Sequence, residues 1–268
     1  MTLEVLLATM YQSDFSIIDR CNIKSDCVVI NQCDKESEEV WIANGYTYRM
    51  YNSQERGISR SRNLAIGKST ADVCVLADDD IIYRDGYRSS ILEAFSSIED
   101  ADIIVFNINS LDRDIRPQEQ LFTKVSVVPW FKTYSSVHIA FRRESILRAD
   151  ISFDSRFGTG SGVFTMGEDS LFMRACHRAG LHIYKFPAVI ADLHSDSSTW
   201  FTGYNESYFE DVGAYLSAAY PFMKFLMKYY YPIRFRKLAE LGSMEILASI
   251  DRGFRRYEHY YQKSSVRE

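Results

Sequence analysis

Short apolar runs recur through the first 110 residues, and the loops that follow them are polar. Residues 3–9, 27–31, 46–51, 73–77 and 103–108 each have the length of a buried strand. Helical patterns lie between them. Ile58, Arg62, Ala65 and Ile66 fall at helical spacing, as do Ile91, Leu92, Phe95 and Ile98. Strand and helix in alternation predict an α/β fold with a mostly parallel central sheet flanked by helices. In such sheets ligands bind outside the carboxyl ends of the strands. The residues found there are Thr9, Gln12 and Asp14 after the first run, Asn31, Gln32 and Asp34 after the second, and Asp78, Asp79 and Asp80 after the fourth. Three loops are thus expected to line one cleft.

Past residue 108 the alternation weakens. Strands are expected at 123–128 and 138–141, followed by a glycine-rich stretch at 157–162. A helix over 168–179 shows Leu171, Phe172, Ala175 and Cys176 on one face and stops at Gly180. A last strand is expected at 183–190. With 268 residues, 46% hydrophobic and 25% charged, the chain fits one catalytic domain carrying a C-terminal appendage.

No stretch reaches the roughly 18 to 20 uncharged apolar residues that cross a bilayer, and Met1-Thr2-Leu3-Glu4 lacks the basic start of a signal peptide. A cytoplasmic location is the expectation. The five cysteines, Cys21, Cys27, Cys33, Cys74 and Cys176, are odd in number and form no CxxC pair, which predicts buried thiols rather than a disulfide framework or a zinc site.

The net charge of −5 is unevenly spread: residues 224–268 hold ten Lys or Arg against five Asp or Glu, leaving 21 against 31 in the rest. An acidic body disfavours nucleic acid as a partner, while a basic tail suits an anionic surface.

Three carboxylates at the mouth of a buried strand repel one another unless a cation is present. Asp78, Asp79 and Asp80 therefore suit a hard divalent ion, magnesium or manganese, whose remaining ligands would be the oxygens of a nucleoside diphosphate. Alone, the run equally suits a solvated turn or helix cap. Upstream, Arg56, Arg60 and Arg62 offer guanidinium groups fit for phosphate or a base edge. Downstream, Glu168 and Asp169 open the helix at 168–179, where a carboxylate can take the proton of an incoming hydroxyl or simply complement the helix terminus. His194, beyond the last strand, is a third metal or phosphate contact only if the fold returns it to the acidic run.

In order and spacing these features form a pattern: Gly57-x-Ser59-x-x-Arg62-Asn63, the acidic run after a strand, Gly167-Glu168-Asp169, then His194 followed by Ser197-Ser198-Thr199-Trp200. The chain resembles family 2 glycosyltransferases over about residues 3–200. The resemblance implies a GT-A fold, with a nucleotide-sugar-binding half at about 1–110, an acceptor half at 111–200, and a helical, aromatic and basic region at 201–268. It implies an inverting, metal-dependent hexosyltransferase-like enzyme that uses a nucleoside-diphosphate sugar, UDP-linked, with Mn2+ or Mg2+. The acceptor would be a glycan or lipid-linked hydroxyl in polysaccharide synthesis of the bacterial surface type. By the same resemblance Thr9 and Asp34 look like nucleotide contacts, Arg62 like the donor-binding arginine, Asp78 and Asp79 like donor contacts, Asp80 with His194 like metal ligands, and Asp169 like the general base with Glu168 beside it. The family often has aspartate where this chain has Ala77, which leaves the metal pair open among the three aspartates. The first strand ends in Ala8-Thr9-Met10-Tyr11-Gln12 rather than the usual Pro-Thr-Tyr-Asn.

Two other readings share the layout. A sugar nucleotidyltransferase needs a glycine-rich, lysine-bearing loop after the first strand, which residues 10–14 do not supply. An inactive carbohydrate-binding or scaffold module would keep the fold without the chemistry. Finally, residues 220–235, YPFMKFLMKYYYPIRF, are aromatic at seven of sixteen positions and interleave Lys224, Lys228 and Arg234. That mix suits either a membrane interface on the cytoplasmic side or packing against the core or a second subunit.

Overall fold

A computed structural model describes residues 1–110, 121–193, 201 and 203–264. The first half runs β1 (Leu3–Met10), α1 (Ser16–Arg20), β2 (Asp26–Gln32), β3 (Ser37–Ala43), β4 (Tyr46–Ser53), α2 (Ile58–Lys68), β5 (Val73–Asp78), β6 (Ile81–Tyr83), α3 (Tyr87–Ser97) and β7 (Ile103–Ser110). There follow β8 (Ser126–Val127), β9 (Ile139–Arg142), α4 (Arg143–Arg148), α5 (Glu168–Arg178) and β10 (Ile183–Leu193). The chain then becomes helical, with α6 (Glu206–Ala219), α7 (Lys224–Met227), α8 (Tyr230–Phe235) and α9 (Ser243–Ser264).

One sheet takes up all ten strands in the order β3-β4-β2-β1-β5-β9-β7-β10-β6, with β8 beside β10. The block β4-β2-β1-β5 is parallel, as the strand and helix alternation requires. Its strands are buried on both faces. Val5 and Leu7 of β1 face one side with Val29, Val75 and α3, whereas Leu6 faces the other with Val28, Leu76, Ala65 and Phe172. Continuous apolar runs follow from this two-sided burial.

Antiparallel pairing enters where the sequence pattern is weakest. β9 arrives late in the chain yet inserts between β5 and β7, running against both. β3 adds an antiparallel edge to β4, with Val40 and Ile42 exposed and Trp41 packed inward on Phe15 and Tyr48. The expected strand at 123–128 shrinks to the two residues of β8. All five cysteines are buried and free.

The C-terminal helices are held by an unusually close crossing of α6 and α9. A Cβ on Gly213 would lie 2.2 Å from the Ile250 carbonyl oxygen, and one on Gly253 would lie 2.0 Å from that of Glu210. Only glycine at both positions lets the backbones approach so far. Around the crossing, Phe209, Val212, Leu216, Ile246, Ile250 and Phe254 form a core of their own.

Candidate active site

The parallel register brings the polar ends of the strands to one edge. Thr9 stands beside Asn31, Asn31 beside Asn52, and Ala8 beside Asp78. Thr9, Asn31 and Asn52 are buried, so each needs a hydrogen-bond partner. Asn31 Nδ2 donates to Asn52 Oδ1 at 2.6 Å and to the Gln12 carbonyl at 2.8 Å, while its Oδ1 accepts from the Gln12 N–H at 2.9 Å. The loop after β1 is thereby fixed on the end of β2.

Thr9 Oγ1 donates to Asp79 Oδ2 at 2.7 Å and accepts from Gln12 Nε2 at 2.9 Å. Being 2% exposed, Thr9 lies beneath Asp79 and orients it. Asp79 itself is exposed, and Asp80 is half-buried in the turn between β5 and β6.

Asp34 is exposed after β2 and is held by Arg56, whose Nη2 donates to its Oδ1 at 2.7 Å. Arg56 Nη1 also donates to the carbonyls of Cys33 and Gln54, and the guanidinium lies 5.6 Å from the centre of the Tyr11 ring. Tyr11 adopts a positive φ of 51° and exposes 61% of its surface. An aromatic face, a carboxylate and an arginine thus stand together at the mouth of β1 and β2. Tyr11 was legible as part of the loop motif, but its strained backbone and open ring were not.

Arg62 occupies the centre of the site. Its guanidinium is 3% exposed and reaches carboxylates from two distant segments. Nη2 donates to Asp78 Oδ1 and Oδ2 at 3.0 and 3.1 Å, and Nη1 donates to Asp169 Oδ1 at 2.8 Å and more weakly to Glu168 Oε1 at 3.5 Å. Phe153 covers it, 5.4 Å from ring centre to guanidinium carbon. The neighbouring Asn63 fixes that cover by bonding the Phe153 N–H and carbonyl, both at 2.8 Å. Arginine followed by asparagine is therefore one device: the first residue binds the carboxylates, the second seats their lid. The structure places Arg62 under the site, within the acidic cluster, rather than on its open surface.

Glu168 and Asp169 stand in the first turn of α5, entered through Gly167 at φ 104°. A Cβ on Gly167 would crowd Tyr215 at 3.2 Å. Asp169 Oδ2 also accepts the Ser136 N–H at 2.9 Å, so each of its oxygens holds one donor and keeps a second lone pair. One arginine faces three carboxylates here. Burial raises the proton affinity of Glu168, and the adjacent negative charge of Asp169 raises it further, against the pull of Arg62. Burial likewise raises Asp169, with Arg62 and the Ser136 N–H opposing.

The glycines at 158 and 160 serve the same assembly. Gly158 packs where a Cβ would meet Ile58 at 2.5 Å and Glu168 at 3.1 Å, and Gly160 abuts Gly57 at the start of α2. Ile58 N–H donates to the Thr159 carbonyl at 3.0 Å, and Ser59 Oγ to that of Phe157 at 2.6 Å. What these glycines permit is a close approach to α2.

Among the described residues, no three His, Cys, Asp or Glu side chains gather as a ready-made metal set. The donor chemistry still fits a hard cation. Asp79 and Asp80 offer carboxylate oxygens at a strand end, and magnesium is commonly held by one or two carboxylates with substrate phosphates supplying the rest. His194 and residues 197–200 lie outside the described residues, as does the loop at 111–120.

A parallel sheet with an antiparallel strand inserted beside β5, and helices on both faces, is a GT-A type fold. It is similar over its whole length to that of S. aureus TarS. The structure of TarS 1-349 with UDP-GlcNAc superimposes with a TM-score of 0.63 at 13% identity, covering 98% of this chain and 92% of that one. The complex with UDP gives 0.59 at 13% identity with the same coverage. A further structure of TarS 1-349 gives 0.60 at 12% over 98% of this chain and 92% of that one. No family model matches the chain, and no curated protein matches it in sequence.

Proposed function

We infer that this chain is a family 2 type glycosyltransferase that moves a sugar from a UDP-sugar to a hydroxyl acceptor. The observation that carries the reading is the Arg62 bridge, which ties the acidic end of β5 to the carboxylates of α5 across the cleft. A single displacement needs a base on the acceptor side of the reacting carbon and charge compensation for the diphosphate on the other, and the bridge brings Asp169 to the strand end that carries Asp79 and Asp80. TarS, of the same fold, binds UDP-GlcNAc and UDP.

In this proposal residues 1–110 form the donor half and residues 111–200 the acceptor half. Tyr11 provides a face for the base, with Asp34 beside it as a hydrogen-bond acceptor. Asp79 and Asp80 hold Mn2+ or Mg2+, which when bound offsets the charge that grows on the leaving diphosphate. Asp169 takes the acceptor's proton as the acceptor oxygen bonds the anomeric carbon and the bond from that carbon to the β-phosphate oxygen breaks, releasing UDP. One displacement inverts the anomeric centre. Asp78 and Arg62 keep Asp169 in place, and Glu168 stands beside it with its proton affinity raised by burial and by the Asp169 charge. The acceptor is a glycan or a lipid-linked hydroxyl.

Calorimetric titration with UDP in the presence of manganese, alongside UDP release from a panel of UDP-sugars, tests the reading. Binding should vanish in Asp79→Ala combined with Asp80→Ala. Wild-type protein that binds no UDP with either metal would overturn it.

A further inference from the structure

The segment formed by α7, α8 and the turn between them is built inside out. Phe222, Phe225, Leu226, Tyr229, Tyr230 and Ile233 recur at intervals of three, one, three, one and three, which is one stripe of a helical surface. An ordinary amphipathic helix would bury that stripe. Here all six are exposed, Phe222 by 98%, Ile233 by 79% and Leu226 by 71%. The face turned toward the protein carries the charges instead. Lys224 Nζ bonds Glu258 at 2.5 Å and Lys228 Nζ bonds Asp251 at 2.8 Å, both partners on α9, while Met227, Tyr231 and Phe235 complete the helical core. The two lysines are thus neutralised, and the apolar stripe turns outward. An exposed apolar patch of this extent marks a surface that takes an occupant.

Charge identifies it. From residue 212 to residue 239 there is no Asp or Glu, and Arg234, Arg236 and Lys237 are exposed directly beside the stripe. A twofold contact between copies would present this patch to itself, setting cations beside cations with no carboxylate of the patch to meet them. An anionic lipid surface supplies what the patch lacks: hydrocarbon for Phe222, Leu226 and Ile233, headgroup depth for Tyr229 and Tyr230, and phosphate for the cations. We propose that the α7–α8 segment is a peripheral membrane-docking surface for anionic bilayers. Among the described residues no helix is long and apolar enough to cross a membrane, so the contact is superficial.

Flotation of the full chain with phosphatidylcholine vesicles, with and without phosphatidylglycerol, tests the proposal. The protein should float with the anionic vesicles. Leu226→Glu with Ile233→Glu should abolish flotation, and each of Arg234→Ala, Arg236→Ala and Lys237→Ala should weaken it by about fivefold. These side chains are exposed, so melting curves and UDP affinity should stay at wild-type values, which separates loss of docking from loss of fold or of donor binding. No flotation by wild-type protein overturns the proposal, as does flotation unchanged by the double substitution. A dimer in sedimentation equilibrium that Ile233→Glu splits assigns the stripe to a second copy and overturns it equally.

Discussion

Arg62 and Asp169 stand 107 positions apart in the sequence and 2.8 Å apart in the fold. The contact joins α2 to α5, and through Asp78 it reaches the end of β5 as well. A buried guanidinium has five donors in a rigid fork, which lets one side chain align carboxylates that approach from different directions. The acidic run and the Glu168-Asp169 pair are in this sense two arms of one site.

Removing the cation should be costly. Arg62→Met leaves the partly buried Asp78, Glu168 and Asp169 without a counter-charge; loss of one partner from a fully buried ion pair costs about 3–5 kcal/mol, and the exposure of these carboxylates places the cost here toward the low end of that range. Urea unfolding measures it. A loss below about 1 kcal/mol would show that the bridge has no structural weight.

Asp169→Asn keeps the size of the side chain and its contact with the Ser136 N–H, but removes the carboxylate proposed as the base. Sugar transfer should fall by about 10²- to 10⁴-fold while UDP affinity holds. Product formation and UDP titration on the same sample separate the two effects, and normal turnover would sink the assignment of Asp169.

Glu168 gives a pH signature in stability. Burial and the Asp169 charge raise its folded pKa above the unfolded value, so the folded state binds the proton more tightly. Its contribution is full below the ordinary glutamate value and is lost as pH rises through the folded pKa toward neutrality. Glu168→Gln mimics the protonated form. The substituted protein should therefore gain stability relative to wild type as pH rises from about 4.3 into the neutral range. A difference that is flat with pH, or falls, contradicts the assignment.

Two glycines in helices should respond with opposite sign. Alanine at Gly213 gains helix propensity of about 1 kcal/mol, but its Cβ would meet the Ile250 carbonyl oxygen at 2.2 Å. Overpacking against backbone costs about 1–3 kcal/mol, and steric cost wins. A Cβ on Gly67 in α2 would have nothing within 4 Å, so Gly67→Ala should stabilise by up to about 1 kcal/mol. Thermal melts of both variants check the pair.

The parallel core was readable because burial on both faces writes itself into the sequence as unbroken apolar runs such as 73–77, and the polar residue after each run marks the cleft. β3 was missed since an edge strand need hide only one face, and its alternation of Val40 and Ile42 with Trp41 and Ala43 is short and flanked by charge. The antiparallel insertion of β9 has no local signature at all, being a matter of which edges remain open. In the site, the residue types of Arg62 and Asp169 were legible, but not that the arginine lies beneath the carboxylates. That depends on Phe153 and Asn63 closing over it, a contact between segments 90 positions apart.

The insertion of β9 reaches beyond the sheet order. Among the described residues β7 pairs with β9 and β10, and the edge of β5 away from β1 pairs with β9. A fragment ending near residue 110 would therefore leave both edges of β7 and one edge of β5 bare, and residues 139–142 must be made before β5 has its final neighbour. The strands before residue 110 and those after it complete a single sheet, so grafting either part onto another protein would mean carrying β9 along.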